Sequence, residues 1–199
     1  LNKNKERGLL FIVLANIIFA FLYYFFSKEN AIDKLYVIPV ISVTILVVYI
    51  IFRIYSDKYK EIVKVEKYYY KVIISTIIVL LTIQFVLLYN HFNVGIDPYK
   101  IVSLAISYML IYIGNIMPQI KQNSIIGVRT KKALNNETVW KLANRIGGIS
   151  LVIVGVILFI VSLVFRGKIL IVILLAGIVV WSIINDIYIG FYCKRNKTY

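Results

Sequence analysis

At 199 residues, 61% hydrophobic and with a mean hydropathy of +0.85, the chain carries more apolar surface than one soluble core can hide. A bilayer accepts that surface as solvent, so a water-soluble enzyme or binding domain is excluded as a starting point. The net charge of +14 would suggest nucleic acid in a soluble protein, but its placement along the chain assigns it to membrane topology instead.

Six apolar windows follow one another, at residues 8–26, 35–55, 72–89, 101–118, 149–165 and 169–192. At a rise of about 1.5 Å per residue, each reaches across a hydrocarbon core of ~30 Å, the third and fifth near the short limit. Helix is the expected conformation, because backbone groups in lipid must be satisfied within their own segment. The alternating strands of roughly ten residues that a barrel needs are missing from the pattern. The expected fold class is therefore all-α, a polytopic membrane protein with six transmembrane helices in a single domain over residues 1–199.

The first window follows Lys3, Lys5 and Arg7, as a secretory signal would. It lacks a small-x-small cleavage site and runs into Ser27-Lys28-Glu29-Asn30, so it reads as a retained anchor. The opening Leu1 in place of Met reads as a trimmed or unusual start. Between windows two and three, Lys58, Lys60, Glu61, Lys64, Glu66 and Lys67 precede Tyr68-Tyr69-Tyr70. These residues read as helix extensions, with the tyrosines at the headgroup level. The connections at 27–34, 90–100 and 166–168 are too short for an external domain.

With the N-terminus inside, eighteen of the 23 basic residues fall on cytoplasmic pieces, and the exceptions are Lys28, Lys34, Lys100, Arg166 and Lys168. The positive-inside rule then places both termini in the cytoplasm. His91, the lone histidine, has no cysteine or carboxylate at metal-ligand spacing, and Cys193 is the one cysteine. No metal, cofactor or internal disulfide is expected, and the nucleophile and phosphate-loop motifs are missing. The reading is non-enzymatic. Asn16, Gln84, Asn115 and Gln119 read as hydrogen-bonding groups between helices.

Residues 114–148, GNIMPQIKQNSIIGVRTKKALNNETVWKLANRIGG, concentrate the polar pattern. Gly114 allows close helix approach, and Pro118 kinks or ends the fourth span. Asn135 or Asn136 can cap a helix with Glu137 in its first turn and Lys141 and Arg145 in its last. Val139, Leu142, Ala143 and Ile146 make one apolar stripe, with Glu137, Lys141, Asn144 and Arg145 away from it. The expectation is a short cytoplasmic amphipathic helix between helices four and five, with Gly147 and Gly148 bending the chain into the fifth span. Trp140 lies between the two sides, where an indole buries its ring and keeps its N–H wet.

Asp186 is the sole acid within a span, about 10 Å from its inner end at helical rise. It reads either as an interface-level acid paired with Lys194 or Arg195, or as the partner of Arg129 or Arg145 that locks the loop to the bundle. Arg129 in turn needs an acceptor, for which Asp186, Glu137 or carbonyls freed near Pro118 are available. The alternative is a topogenic charge among lipid phosphates.

At these residues the chain resembles the SdpI family of bacterial membrane proteins, which includes immunity proteins against a secreted killing peptide. The family pattern is Gly-Asn-x-(Met/Leu)-Pro, a basic residue and Asn, then Gly-(Ile/Val/Leu)-Arg-Thr-Pro-Trp-Thr-Leu, Glu-x-Val-Trp and Asn/His-Arg. Gly114, Asn115, Met117, Pro118, Lys121, Asn123, Gly127, Arg129, Thr130, Leu134, Glu137, Trp140, Asn144 and Arg145 match it. Lys131-Lys132-Ala133 departs from Pro-Trp-Thr, and an early Pro- and His-containing segment of larger relatives has no counterpart. The resemblance implies a cell-membrane protein that protects its producer from a membrane-active peptide toxin and sequesters a cytoplasmic repressor. The residues themselves point to the bilayer as partner, with no direct nucleic acid. Residues 121–145 offer a basic surface for a soluble protein or anionic headgroups. A small transporter or channel-like module, using Asn115, Gln119 and Asp186 as a polar path, is the rival reading.

Overall fold

The computed structural model describes residues 3–26, 37–58, 62–91, 95 and 97–195. Among them, all regular secondary structure is helical. The long helices are α1 (Lys3–Phe26), α2 (Val37–Lys58), α3 (Ile62–His91), α4 (Pro98–Ile116), α6 (Glu137–Val164) and α7 (Ile169–Arg195), with a five-residue α5 (Lys131–Asn135) between α4 and α6. Prolines mark the boundaries. Pro39 and Pro98 stand in first turns, where a missing N–H costs nothing, and Pro118 lies in the 3-10 turn Met117–Gln119 that closes α4.

Among the described residues, four helical stretches are long and apolar enough to cross a membrane: Val65–Val86, Pro98–Gln119, Glu137–Val164 and Ile169–Arg195. Arg7–Phe21 and Val40–Ile51 are shorter apolar stretches within α1 and α2. The third and fifth windows, short as apolar runs, belong to helices of 30 and 28 residues. The connection at 27–34, expected on the outside, lies outside the described residues, as do most of 90–96 and the side chain of His91.

Two cores form. Leu9, Val13, Ile45, Tyr49, Tyr69 and Ile77 join α1, α2 and α3, and Tyr69 is 7% exposed. Leu110, Met117, Ile120, Val128, Trp140, Leu158, Ile189 and Cys193 join α4, α6, α7 and the loop between α4 and α6. The tightest crossing is α4 on α6. A Cβ on Gly114 would lie 2.7 Å from the Gly148 carbonyl oxygen, and one on Gly148 would lie 2.6 Å from that of Gly114. Two turns further along α6, a Cβ on Gly155 would meet Ile111 Cγ1 at 2.8 Å and the Ser107 carbonyl at 3.0 Å. Small residues thus let the two backbones touch, as membrane helices do where lipid offers no hydrophobic drive for association.

This packing corrects the expected bend. α6 runs unbroken through Gly147 and Gly148, so the amphipathic stretch from Glu137 and the fifth span are one helix. What lies between α4 and α6 as a separate element is α5, at Lys131–Asn135. The paired glycines serve helix approach instead of a turn, and the resulting contacts offset the propensity cost of about 1 kcal/mol each.

At the opposite end, Asp97 caps α4 by accepting from the Tyr99 N–H at 2.9 Å. Its other oxygen accepts from the Gly167 N–H at 2.7 Å, and Lys100 Nζ donates to the Leu163 carbonyl at 3.2 Å. The connection between α6 and α7 is thereby pinned to the start of α4. The outward faces of α1, α6 and α7 remain apolar, with Phe11, Phe19, Ile160, Val172 and Phe191 exposed, as a lipid-facing surface requires.

Candidate functional site

The loop from α4 to α6 satisfies its own polar groups almost completely. After Pro118 the chain turns extended at Ile120, whose carbonyl accepts from Trp140 Nε1 at 2.8 Å. Asn123 then folds a tight turn. Its Oδ1 accepts from the Ile125 and Ile126 amides at 2.7 and 2.8 Å, and its Nδ2 donates to the Lys121 and Ile126 carbonyls at 2.7 and 3.1 Å. A side chain that replaces backbone partners in this way sets a turn without a helix or strand.

Gly127 follows with φ +114°, a conformation that strongly favours glycine. Space demands it as well, because an added Cβ would run into Asn144 Oδ1 and come within 3.1 Å of the Trp140 ring. Asn144 Oδ1 accepts from the Val128 N–H at 2.9 Å, while its Nδ2 donates to the Trp140 carbonyl at 3.0 Å. The Asn144 and Trp140 side chains, 0% and 1% exposed, thus grip the loop from one face of α6.

Thr130 then caps α5, its Oγ1 accepting from the Ala133 N–H at 3.2 Å. Gln122 closes the other end, its Nε2 donating to the Ala133 and Leu134 carbonyls at 3.0 and 2.7 Å. Asn136 starts α6 by accepting from the Thr138 and Val139 amides at 2.9 and 3.2 Å, as one of the two expected caps. Glu137 and Lys141 form the expected i, i+4 pair at 2.8 Å, both largely exposed.

Several expectations are corrected by this geometry. Asn144 lies on the buried face of α6, not away from it, because that face runs through Val139, Trp140, Ala143, Asn144, Gly147, Gly148 and Leu151. The Trp140 N–H is not wet but bonded inside the loop. Arg129 is exposed, and its Nη1 reaches the Ile125 carbonyl at 3.4 Å, so none of the three expected acceptors holds it. Asp186 is exposed and makes no ion pair with Arg129, Arg145, Lys194 or Arg195 among the described residues. One residue of helical rotation separates it from Asn185, which is 3% exposed and faces α6. Asn115 and Pro118 are exposed too.

The pairing of α6 with α7 escaped sequence reasoning. Trp181 Nε1 donates to the Gly147 carbonyl at 2.8 Å, and Asn185 Nδ2 donates to Ser150 Oγ at 3.3 Å and to the Trp181 carbonyl at 2.7 Å. The usable signal is phase: Trp181, Asn185, Ile189 and Cys193 recur every four residues along α7.

The motif therefore divides into two sets. Gly114, Asn123, Gly127, Thr130, Trp140 and Asn144 hold the segment together, while Lys121, Arg129, Lys131, Lys132, Lys141 and Arg145 are exposed. The C-terminal turn of α7 adds the exposed Lys194 and Arg195 at the same end of the α6 and α7 pair.

A family model described as the SdpI/YfhL protein family matches residues 119–186, which take in the docked loop, α6 and most of α7. Immunity protein SdpI of Bacillus subtilis (strain 168) is 30% identical over 170 residues, 85% of this chain and 81% of that relative. The chain belongs to the SdpI family. No solved structure matches it. Membership places the chain in the membrane, in agreement with its long apolar helices. The buried contacts of Gly127, Trp140 and Asn144 also give physical reasons for these positions of the motif.

Proposed function

We propose that this SdpI-family member is a multi-pass immunity protein that protects its producer from a secreted, membrane-active peptide. Its relative's name, together with identity along most of both chains, carries the reading. In this account α1 and α2 also cross the bilayer, giving one six-span domain over residues 1–199 with both termini in the cytoplasm. The docked loop then lies on the cytoplasmic side, and its exposed cations are the surface that would hold a cytoplasmic repressor or anionic headgroups.

The role is non-catalytic. The loop's buried polar groups are spent on its own backbone, and its exposed surface is mostly cationic, with the one exposed acid there, Glu137, engaged by Lys141. The transport reading loses support, because Asn115, Gln119 and Asp186 are all exposed on helix exteriors instead of lining one passage.

The test is survival of a peptide-sensitive bacterial host that expresses the chain. Wild type should raise the lethal peptide dose at least tenfold over an empty vector, and no shift would refute the reading. Arg129→Lys should lose protection at normal membrane insertion, because lysine keeps the charge but not the planar fork that meets a phosphate or carboxylate. Full protection by that variant would leave Arg129 an ordinary positive-inside residue.

A further inference from the structure

Away from the motif, a second polar group is buried where water is scarce. Asn16 on α1 donates from Nδ2 to Gln84 Oε1 on α3 at 2.7 Å, and Gln84 Nε2 donates to Ser42 Oγ on α2 at 3.4 Å. Asn16 is 9% exposed and Gln84 2%. The chain of bonds runs one way and leaves its first acceptor open: Asn16 Oδ1 is buried and has no donor. Beside it lies a cavity of about 270 Å³ lined by Asn16, Phe19, Leu81, Gln84 and Phe85. Phe19 and Phe85 are 52% and 65% exposed, so the mouth opens sideways through two aromatic rings on the lipid-facing surface.

Depth decides what can fill it. Along the helix axes Asn16 is roughly 13 Å from Arg7 and Gln84 roughly 20 Å from Lys71, which sets both within the hydrocarbon layer. An acceptor without a donor there costs free energy that a bonded partner would recover. Phospholipid acyl chains carry no donor, and headgroup donors stay at the interface. A peptide lying in the membrane brings side-chain hydroxyl or amide donors to this depth.

We propose that this cavity is a lateral binding site for an apolar, membrane-inserted peptide, taking one large side chain between Phe19 and Phe85 and one side-chain donor at Asn16. At this volume it accepts a side chain or two, not a whole helix, so the peptide lies along α1 and α3 and inserts a knob. The site rests on the immunity reading only for the identity of the natural peptide.

The experiment uses the full chain in phosphatidylethanolamine and phosphatidylglycerol nanodiscs, with Phe85→Trp as a fluorescent reporter at the mouth. The native Trp140 and Trp181 belong to the other core and supply the background, read from the unsubstituted chain. The probes are nitroxide-labelled Leu/Ala transmembrane peptides with one central Ser, or Ala in its place. The Ser peptide should quench the reporter at about three- to tenfold lower concentration than the Ala peptide, in line with hydrogen bonds between membrane helices. Asn16→Leu should abolish that difference and leave the Ala peptide unchanged. Leu81→Phe, which fills the cavity and spares the Asn16 to Gln84 bond, should weaken both peptides together. Equal quenching by the two peptides, as acyl-chain filling alone would give, or full binding to the Leu81→Phe variant, would overturn the proposal. Loss of host protection alongside intact peptide preference would instead count against the immunity reading alone.

Discussion

Asn144 supplies the Val128 amide with a partner that neither helix nor strand provides. Asn144→Leu keeps the volume and removes both bonds, leaving a buried N–H unsatisfied. It should cost about 1–3 kcal/mol, measured as a lowered unfolding midpoint in detergent. Thr138→Ala is the control, because the Thr138 side chain is exposed and only its backbone joins the cap; it should stay within about 0.5 kcal/mol of wild type. Gly127→Ala should be at least as damaging as Asn144→Leu, since it adds strain at φ +114° to a collision with Asn144. An unchanged midpoint for Gly127→Ala would mean that the loop is not docked as described. At this scale the sequence was legible in part. The residue types of the motif are those that make turns and caps, but an asparagine capping its own helix looks the same in one dimension as one gripping a loop 16 residues away. The sequence pattern places Asn144 on the solvent side, because polar residues usually belong there. Asp186 stands out in the sequence as an intramembrane acid, while the buried group is its neighbour Asn185.

The α4 and α6 pair rests on backbone contact, and its glycines have a graded test. Gly148→Ala places a methyl 2.6 Å from the Gly114 carbonyl and 3.0 Å from the Pro118 ring, neither of which can rotate away. The helices must part, at the roughly 1–3 kcal/mol typical of overpacking. Gly190→Ala on α7 meets nothing within 4 Å and should be neutral or slightly stabilising in the same unfolding assay. Equal effects for the two would remove the close crossing from the account. The apolar windows were legible because lipid demands near-continuous hydrophobicity and helical hydrogen bonding. Their ends were not, because a helix that leaves the membrane stays helical wherever a cap and a packing face continue it. α6 therefore extends back to Glu137, and the paired glycines, a bend signal in isolation, become contact surfaces, Gly148 for the α4 backbone and Gly147 for Val128 and Asn185.

At the scale of the whole molecule, chemistry among the described residues is segregated: a self-bonded loop and exposed cations at one end, the α6 to α7 turn clasped to the start of α4 at the other, and lipid-facing apolar surface between. Reporter fusions after Ser56, Asn93, Thr130 and Gly167 should alternate between cytoplasm and exterior, beginning inside. An exterior signal from the Thr130 fusion would move the loop and its cations to the wrong face. Placement in the SdpI family is legible in the motif segment alone, whereas the site beside Asn16 is not, because three residues on three helices share no local pattern. The central claim of the proposed function is that protection happens within the membrane, since on the proposed six-span topology the connections at 27–34, 90–100 and 166–168 leave little for an external catch. The most direct measurement is dye release from proteoliposomes challenged with the peptide that kills the sensitive host. Vesicles holding the wild-type chain should need at least tenfold more peptide for half-maximal release than protein-free vesicles, and those holding Asn144→Leu should need less than wild type. Equal release from protein-free and wild-type vesicles would contradict the account.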